Sequence, residues 1–235
     1  MRILSDVPGR ALAIFAHPDD LEVSCGGTLA GWTAAGARVA LVTCTRGDKG
    51  SLDPTTDPEE LADRRAAEAR ASGLVLGAAG VEMLGYDDGE IENTSFLRGQ
   101  LVELIRRWRP DVVVAPDPAA LIFGDAYVNH HDHRAVGLAV LDACAPAAWS
   151  PLYYPGAGPP HAVRQVLLSG TLEPDGWVDI SATVQRKAEA LRCHMSQMGD
   201  NAAAATGLVQ RRAAAEGVRA GVAYAESYRC LQLRP

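Results

Sequence analysis

Two short stretches hold most of the residues that could do chemistry. The first is His17-Pro18-Asp19-Asp20, directly after the apolar run from Ala11 to Ala16. An imidazole and two carboxylates at i, i+2 and i+3 of a tight turn can converge on one point. Histidine with aspartate suits a borderline divalent metal such as zinc. Two carboxylates at close quarters also call for a cation, because their repulsion opposes double ionisation. An ordinary turn is the competing reading, since Pro-Asp is common in turns and aspartate often caps a helix. The second stretch is Asn129-His130-His131-Asp132-His133, in which three of the chain's six histidines fall within four positions. His130 and His133, at i and i+3, share one face of a helical turn. A polar helix start accounts for Asn129 or Asp132 but not for the histidine cluster, which favours a metal site.

The elements around these stretches follow from pattern. An uninterrupted apolar run reads as a strand buried on both faces. Pro18 cannot continue a strand ladder, so this strand is expected over 11–17. A helix is expected to open at Cys25-Gly26-Gly27-Thr28 and stop at Gly36, followed by a strand over 38–45. Such a βαβ unit implies a parallel, right-handed crossover. Its second strand runs into Thr45-Arg46-Gly47, where Arg46 is placed to meet a substrate oxygen or is simply solvated. Asp57-Pro58 starts a helix over 58–72. Residues 81–84 form a short strand, and the turn Gly85-Tyr86-Asp87-Asp88-Gly89 lines the site more readily than it binds metal. A helix over 94–108 stops at Pro110, and 111–115 is a fourth strand. The Asn129–His133 stretch is a loop entering a helix N-terminus.

Both His/Asp stretches therefore reach the carboxyl edge of one parallel sheet, the place where open α/β sheets bind ligands. Residues 145–160, with five prolines and three aromatics, form a long connection that reads as a lid or an oligomer surface. Strands follow at 163–169 and 177–180, then helices at 181–194 and 200–218. The stretch 224–233 is a final helix turn or strand. The expected architecture is one α/β domain over residues 1–235, with a mostly parallel central sheet and 145–180 as a variable segment covering the site.

Composition narrows the partners. The 235 residues carry a formal charge of −7, which argues against nucleic acid or an anionic membrane surface. No apolar stretch reaches the roughly 20 residues of a membrane span. The first ten residues show no signal-peptide pattern, so a cytoplasmic location is expected. Five scattered cysteines with no CxxC pair read as reduced, small buried side chains. A nucleotide-binding domain would explain the sheet, but no GxGxxG or GxxxxGK[ST] loop follows the first strand. A non-catalytic metal module is a further alternative, although it has no need of a second carboxylate beside the ligands.

Ala16-His17-Pro18-Asp19-Asp20-Leu21-Glu22 with Gly26-Gly27, followed by His130-His131-Asp132-His133-Arg134, resembles the zinc-dependent PIG-L/LmbE-like N-deacetylases. Thr45-Arg46-Gly47, Gly85 to Gly89, Lys187 to Gln197 and Tyr224 to Tyr228 extend the likeness over essentially the whole chain. Two departures stand out: Leu21 separates the Asp pair from Glu22, and His131 replaces a common proline. The resemblance implies a Rossmann-like three-layer sandwich that binds Zn2+, or another divalent metal, through His17, Asp20 and His133. It implies Asp19 as general base, His130 as oxyanion stabiliser and Asp132 as the carboxylate holding His130 charged. It further implies Arg46, with Asp87, at the substrate, a small amino sugar of the N-acetylglucosamine type, and a homo-oligomer. An amidase of the same family, acting on a larger acyl group or a thiol-sugar conjugate, is the alternative within enzymes.

Overall fold

Alternation along β1 (Arg10–Phe15) decides the layers. Successive strand side chains point to opposite faces, so a wholly apolar strand must be covered twice. Ala11, Ala13 and Phe15 enter one core, and Leu12, Ile14 and Ala16 enter the other. The first core is closed by α1 (Asp20–Ala34), through Leu21, Cys25 and Leu29, and by Leu76 of α2. After β2 (Arg38–Thr45), helix α2 spans Pro58–Leu76, its N-terminus capped by the Asp57 carboxylate. Next come β3 (Gly80–Tyr86), α3 (Ser95–Trp108) and β4 (Val112–Pro116). A two-stranded hairpin, β5 (Ile122–Phe123) and β6 (Tyr127–Val128), precedes α4 (His131–Asp142). Leu97, Leu101 and Ile105 of α3, with Val136 and Val140 of α4, fill the second core.

The remaining elements are β7 (Gln165–Ser169), β8 (Gly176–Asp179), α5 (Val184–Arg192), α6 (Met195–Met198), α7 (Ala202–Ala220) and β9 (Ala225–Gln232). The seven-stranded sheet has the order β3-β2-β1-β4-β7-β9-β8. Its first five strands are parallel, and β9 pairs antiparallel with both β7 and β8. The chain winds outward in one direction from β1 to β3 and in the other from β4 to β7. The switch point lies between β1 and β4, where open α/β sheets form their ligand crevice. The mostly parallel three-layer α/β architecture expected from the sequence is thus present. These statements come from a computed structural model describing residues 2–234, the side chain of Asp200 excepted. Among the described residues no helix is long and apolar enough to cross a membrane.

Several boundaries differ from expectation for identifiable reasons. The β1 ladder ends at Phe15, two residues early, although the Thr45 N–H still donates to the Ala16 carbonyl at 2.8 Å. Helix α1 begins at Asp20, not Cys25, because the Asp20 carboxylate accepts the His17 N–H at 2.8 Å and closes the turn. Gly26 and Gly27 therefore lie inside α1. A Cβ on Gly27 would meet Ile180 at 2.7 Å and one on Gly26 would meet Lys187 at 3.3 Å, so the pair lets α1 pack closely against these side chains. The expected helix over 181–194 is the shorter α5, and a separate turn of helix, α6, follows His194. The 224–233 stretch is the strand β9, and the β5–β6 hairpin has no counterpart in the sequence reading.

The proline-rich connection also needs correction. The buried Arg106 guanidinium, in the last turn of α3, donates to the carbonyls of Ala147, Ala148, Ser150, Tyr153, Tyr154 and Gly158 at 2.8–3.2 Å. His161 Nε2 lies 2.8 Å from the Pro110 carbonyl, just before β4. These contacts hold residues 147–161 at the amino edge of the parallel strands, away from both His/Asp stretches. That part of the segment does not cover the site. Arg106→Met would strand these carbonyls, two of them on the buried Ala147 and Ala148, and should cost about 3 kcal/mol. A urea midpoint within the error of the parent protein would show that the segment does not depend on the guanidinium.

Candidate metal centre

The two His/Asp stretches meet at the switch point. His17 follows β1, and His133 stands in the first turn of α4. His17 Nδ1 lies 3.2 Å from His133 Nε2 and 3.3 Å from Asp20 Oδ2, and His133 Nε2 lies 3.2 Å from Asp20 Oδ1. Three donor atoms thus face a common point, in a set of two imidazoles and one carboxylate. The other side of His17 is equally engaged. Its Nε2 is 3.0 Å from Asp88 Oδ1 and 3.2 Å from Asp132 Oδ2, which also accepts the Gly89 N–H at 2.7 Å. Asn129 Oδ1, 3.0 Å from His133 Nδ1, orients the second imidazole. Carboxylate or carbonyl partners behind histidine ligands fix both tautomer and ring direction.

The donor set fits a divalent cation. Asp20, Asp88 and Asp132 crowd one imidazole, and Asp132 Oδ1 is buried without a hydrogen-bond partner among the described residues. Burial alone would depress the His17 pKa, but Asp132, Asp20 and Asp88 outweigh it and push it up to about 12. Burial would raise Asp20, yet His133 and His17 hold its carboxyl well below the usual range. The cluster is therefore organised around positive charge.

Asp19 stands beside these donors without joining them. Its backbone is left-handed (φ 104°), a conformation that aspartate tolerates better than most residues. Burial and the neighbouring Asp20 raise its carboxyl, and the Arg65 guanidinium, 3.5 Å away, opposes them. Arg65 is itself buried and donates to the Pro18 carbonyl at 2.6 Å and the Gly47 carbonyl at 3.0 Å. A Cβ on Gly47 would meet this guanidinium at 2.6 Å, so the glycine leaves room for it. Nothing in the helical pattern of α2 marks which of its arginines turns inward.

His130 caps α4, its Nδ1 accepting the Asp132 N–H at 3.2 Å. Burial and the facing His17 lower its pKa. Accepting at Nδ1 leaves the neutral ring's proton on Nε2. The carboxylate of Asp132 is 4.0 Å from His130 Nδ1 but within hydrogen-bond reach of His17. The expected Asp132–His130 pair is thus replaced by an Asp132–His17 pair, because the helix start turns the His130 ring toward the backbone. His131 is exposed and joins neither the His17–Asp20–His133 donor cluster nor the second one, formed by His17, His130 and Asp132.

Arg46 and Asp87 are brought together, 2.9 Å apart, and Arg46 also grips both oxygens of Glu59. Of the Asp87–Asp88 pair, it is Asp88 that reaches the imidazole, while Asp87 lies at the rim. Two buried polar clusters behind α1 were not read from the sequence. Glu22 accepts from Ser72 Oγ and lies 3.3 Å from His194 Nε2. Glu226 accepts the Gly27 and Thr28 N–H groups and pairs with Lys187, which donates to the Val23 carbonyl. The signal for both was a charged residue inside an apolar pattern. The buried cysteines Cys25, Cys44 and Cys144 behave as expected, burial holding their thiols above the ordinary value.

A doubly covered parallel sheet carrying this donor triangle at its switch point defines an α/β protein with a candidate mononuclear metal centre. The sequence profile of PIG-L, described as GlcNAc-PI de-N-acetylase, matches residues 12–144, and the chain belongs to that family. It is 33% identical over 195 residues to diacetylchitobiose deacetylase of Thermococcus kodakarensis, covering 82% of this chain and 71% of that one. It is 29% identical to 1D-myo-inositol 2-acetamido-2-deoxy-alpha-D-glucopyranoside deacetylase of Nakamurella multipartita, covering 83% and 82%. The structure of N,N'-diacetylchitobiose deacetylase from Pyrococcus horikoshii superposes with a TM-score of 0.88 at 28% identity, covering 97% and 88%.

Proposed function

We propose that the protein is a metal-dependent N-deacetylase acting on an N-acetylglucosamine-type amino sugar. The observation that carries this reading is the donor triangle of His17, Asp20 and His133 with the Asp19 carboxylate beside it, outside the donor set and paired with Arg65. His17, Asp20 and His133 would hold the ion, and two imidazoles with one carboxylate suit zinc. When bound, such an ion supplies a Lewis acid that polarises the amide carbonyl and acidifies water. Asp19, a carboxylate beside the donors and outside their set, takes the proton of the water that attacks the acetamide carbon. The Nε2–H of His130, at the start of α4, donates to the developing oxyanion. Asp19 then returns the proton to the nitrogen as the C–N bond breaks, releasing acetate and a free amine. Asp132 and Asp88 hold His17 by its Nε2, and Asn129 holds His133, so the donor geometry is preorganised. Arg46, with Asp87 beside it, binds substrate at the rim.

The test is acetate and free-amine release from N-acetylglucosamine and its conjugates, with metal content measured on the same sample. The expected result is about one metal ion per chain and release that stops on chelation and returns on reloading with zinc. Release that persists after the metal has been stripped would overturn the reading.

A further inference from the structure

The stretch His194-Met195-Ser196-Gln197 has no part in the chemistry of the metal centre, and none of it belongs to either donor cluster. Its side chains nevertheless grip, one after another, the three segments around the Asp19–Arg65 pair. His194, fully buried, faces α1, with its Nε2 3.3 Å from Glu22 Oε2. Neither atom has a hydrogen bond among the described residues, so the charge opposite is what compensates the burial of each. Ser196 faces α2, its N–H and Oγ donating to the Glu68 carboxylate at 2.7 and 2.6 Å. Gln197 faces the loop after β2, its Nε2 donating to the Gly50 carbonyl at 3.1 Å. A Cβ on Gly50 would collide with Arg65 Nη1 and reach Gln197 Oε1, so the loop is pressed against both side chains.

The gripped segments are the ones that set Asp19. Glu22 stands three residues beyond it, in the first turn of α1. Glu68 follows Arg65 at i+3 on α2, which puts both on one face of that helix. From there Arg65 reaches the Asp19 carboxylate, the Pro18 carbonyl and the Gly47 carbonyl of the loop. Burial would lower the His194 pKa, but Glu22, Asp19 and Glu68 outweigh it and raise it, so the imidazolium is a second cation behind the turn.

We propose that His194, Ser196 and Gln197 are positioning residues, a clasp that ties α1, α2 and the loop 46–50 together so that Arg65 holds the Asp19 carboxylate in place for the reaction. The proposal rests on the deacetylase reading with Asp19 as base. Removing His194 would leave Glu22 buried without its counter-charge, so the test uses Ser196→Ala/Gln197→Ala, which frees α2 and the loop and keeps that pair. Acetate release from N-acetylglucosamine and N,N'-diacetylchitobiose is measured alongside metal content. The expected result is a kcat about tenfold lower, with KM and metal content those of the parent. In Asp19→Asn protein the same double substitution should cost less than about twofold, since a clasp that acts through Asp19 has nothing left to position. A change that only loosened the fold would cost the same factor in both backgrounds. Met195→Ala, exposed in the same turn and outside these bonds, should match the parent. An unchanged kcat, or an equal loss in the Asp19→Asn background, would overturn the clasp and leave the deacetylase standing. Should the parent release acetate from neither sugar, hydrogen exchange separates the two claims. Faster amide exchange over residues 17–22 in the Ser196→Ala/Gln197→Ala protein keeps the clasp and rejects deacetylation of these sugars, whereas exchange equal to the parent rejects both.

Discussion

Asp19→Asn protein should keep its full complement of metal and lose turnover by about 10²–10⁴-fold, the usual contribution of a general base. The substitution is mild structurally. Asparagine tolerates the left-handed backbone at this position almost as well as aspartate does. It keeps the side-chain volume and still offers a carbonyl oxygen to Arg65. The loss of charge beside Asp20 removes a repulsion, so the donor triangle has no reason to open. The effect should therefore fall on kcat, with KM and metal stoichiometry near those of the parent. Loss of the ion in this variant would show that Asp19 is a ligand and that the two aspartates have exchanged roles.

Removal of a donor should behave in the opposite way. His133→Ala deletes the Nε2 that stands 3.2 Å from both His17 Nδ1 and Asp20 Oδ1, and leaves only two donors facing the point. Metal content after dialysis should fall from about one per chain to near zero, and amine release should fall with it. Binding to the native state raises its stability by RT ln(1 + [L]/Kd), so added zinc should raise the parent Tm by several degrees and leave that of His133→Ala unmoved. His131→Ala should bind metal like the parent, since His131 is exposed and outside the donor clusters. A His133→Ala protein that still carries stoichiometric metal would show that His133 is not a ligand.

His17, Asp20 and His133 were recognisable because rare residue types clustered at the ends of strongly patterned segments. The six-residue apolar run of β1 has one stable solution, a central strand covered on both faces, and that places His17 at the switch point. The histidines at i and i+3 likewise had to share a face once α4 formed. Arg65, Asp88 and the Asp132–His17 pair were not legible, because each depends on which of several equivalent polar side chains turns inward. Three arginines punctuate α2, two aspartates are adjacent after β3, and periodicity treats them alike. The same holds for the proline-rich segment: composition shows a long connection, but only the buried Arg106 decides to which edge of the sheet it is tied.

The sequence by itself determined the alternation of strands and helices from β1 to β4, the double burial of β1 and the residue types available for chemistry, since these follow from local periodicity and apolar content. Tertiary structure alone decided the partners. Whether a carboxylate faces an imidazole, a guanidinium or a backbone N–H depends on contacts across 43 residues from Gly89 to Asp132 and 116 from His17 to His133. Desolvation and Coulomb interactions in the folded interior set those contacts, and they have no local signature in the chain.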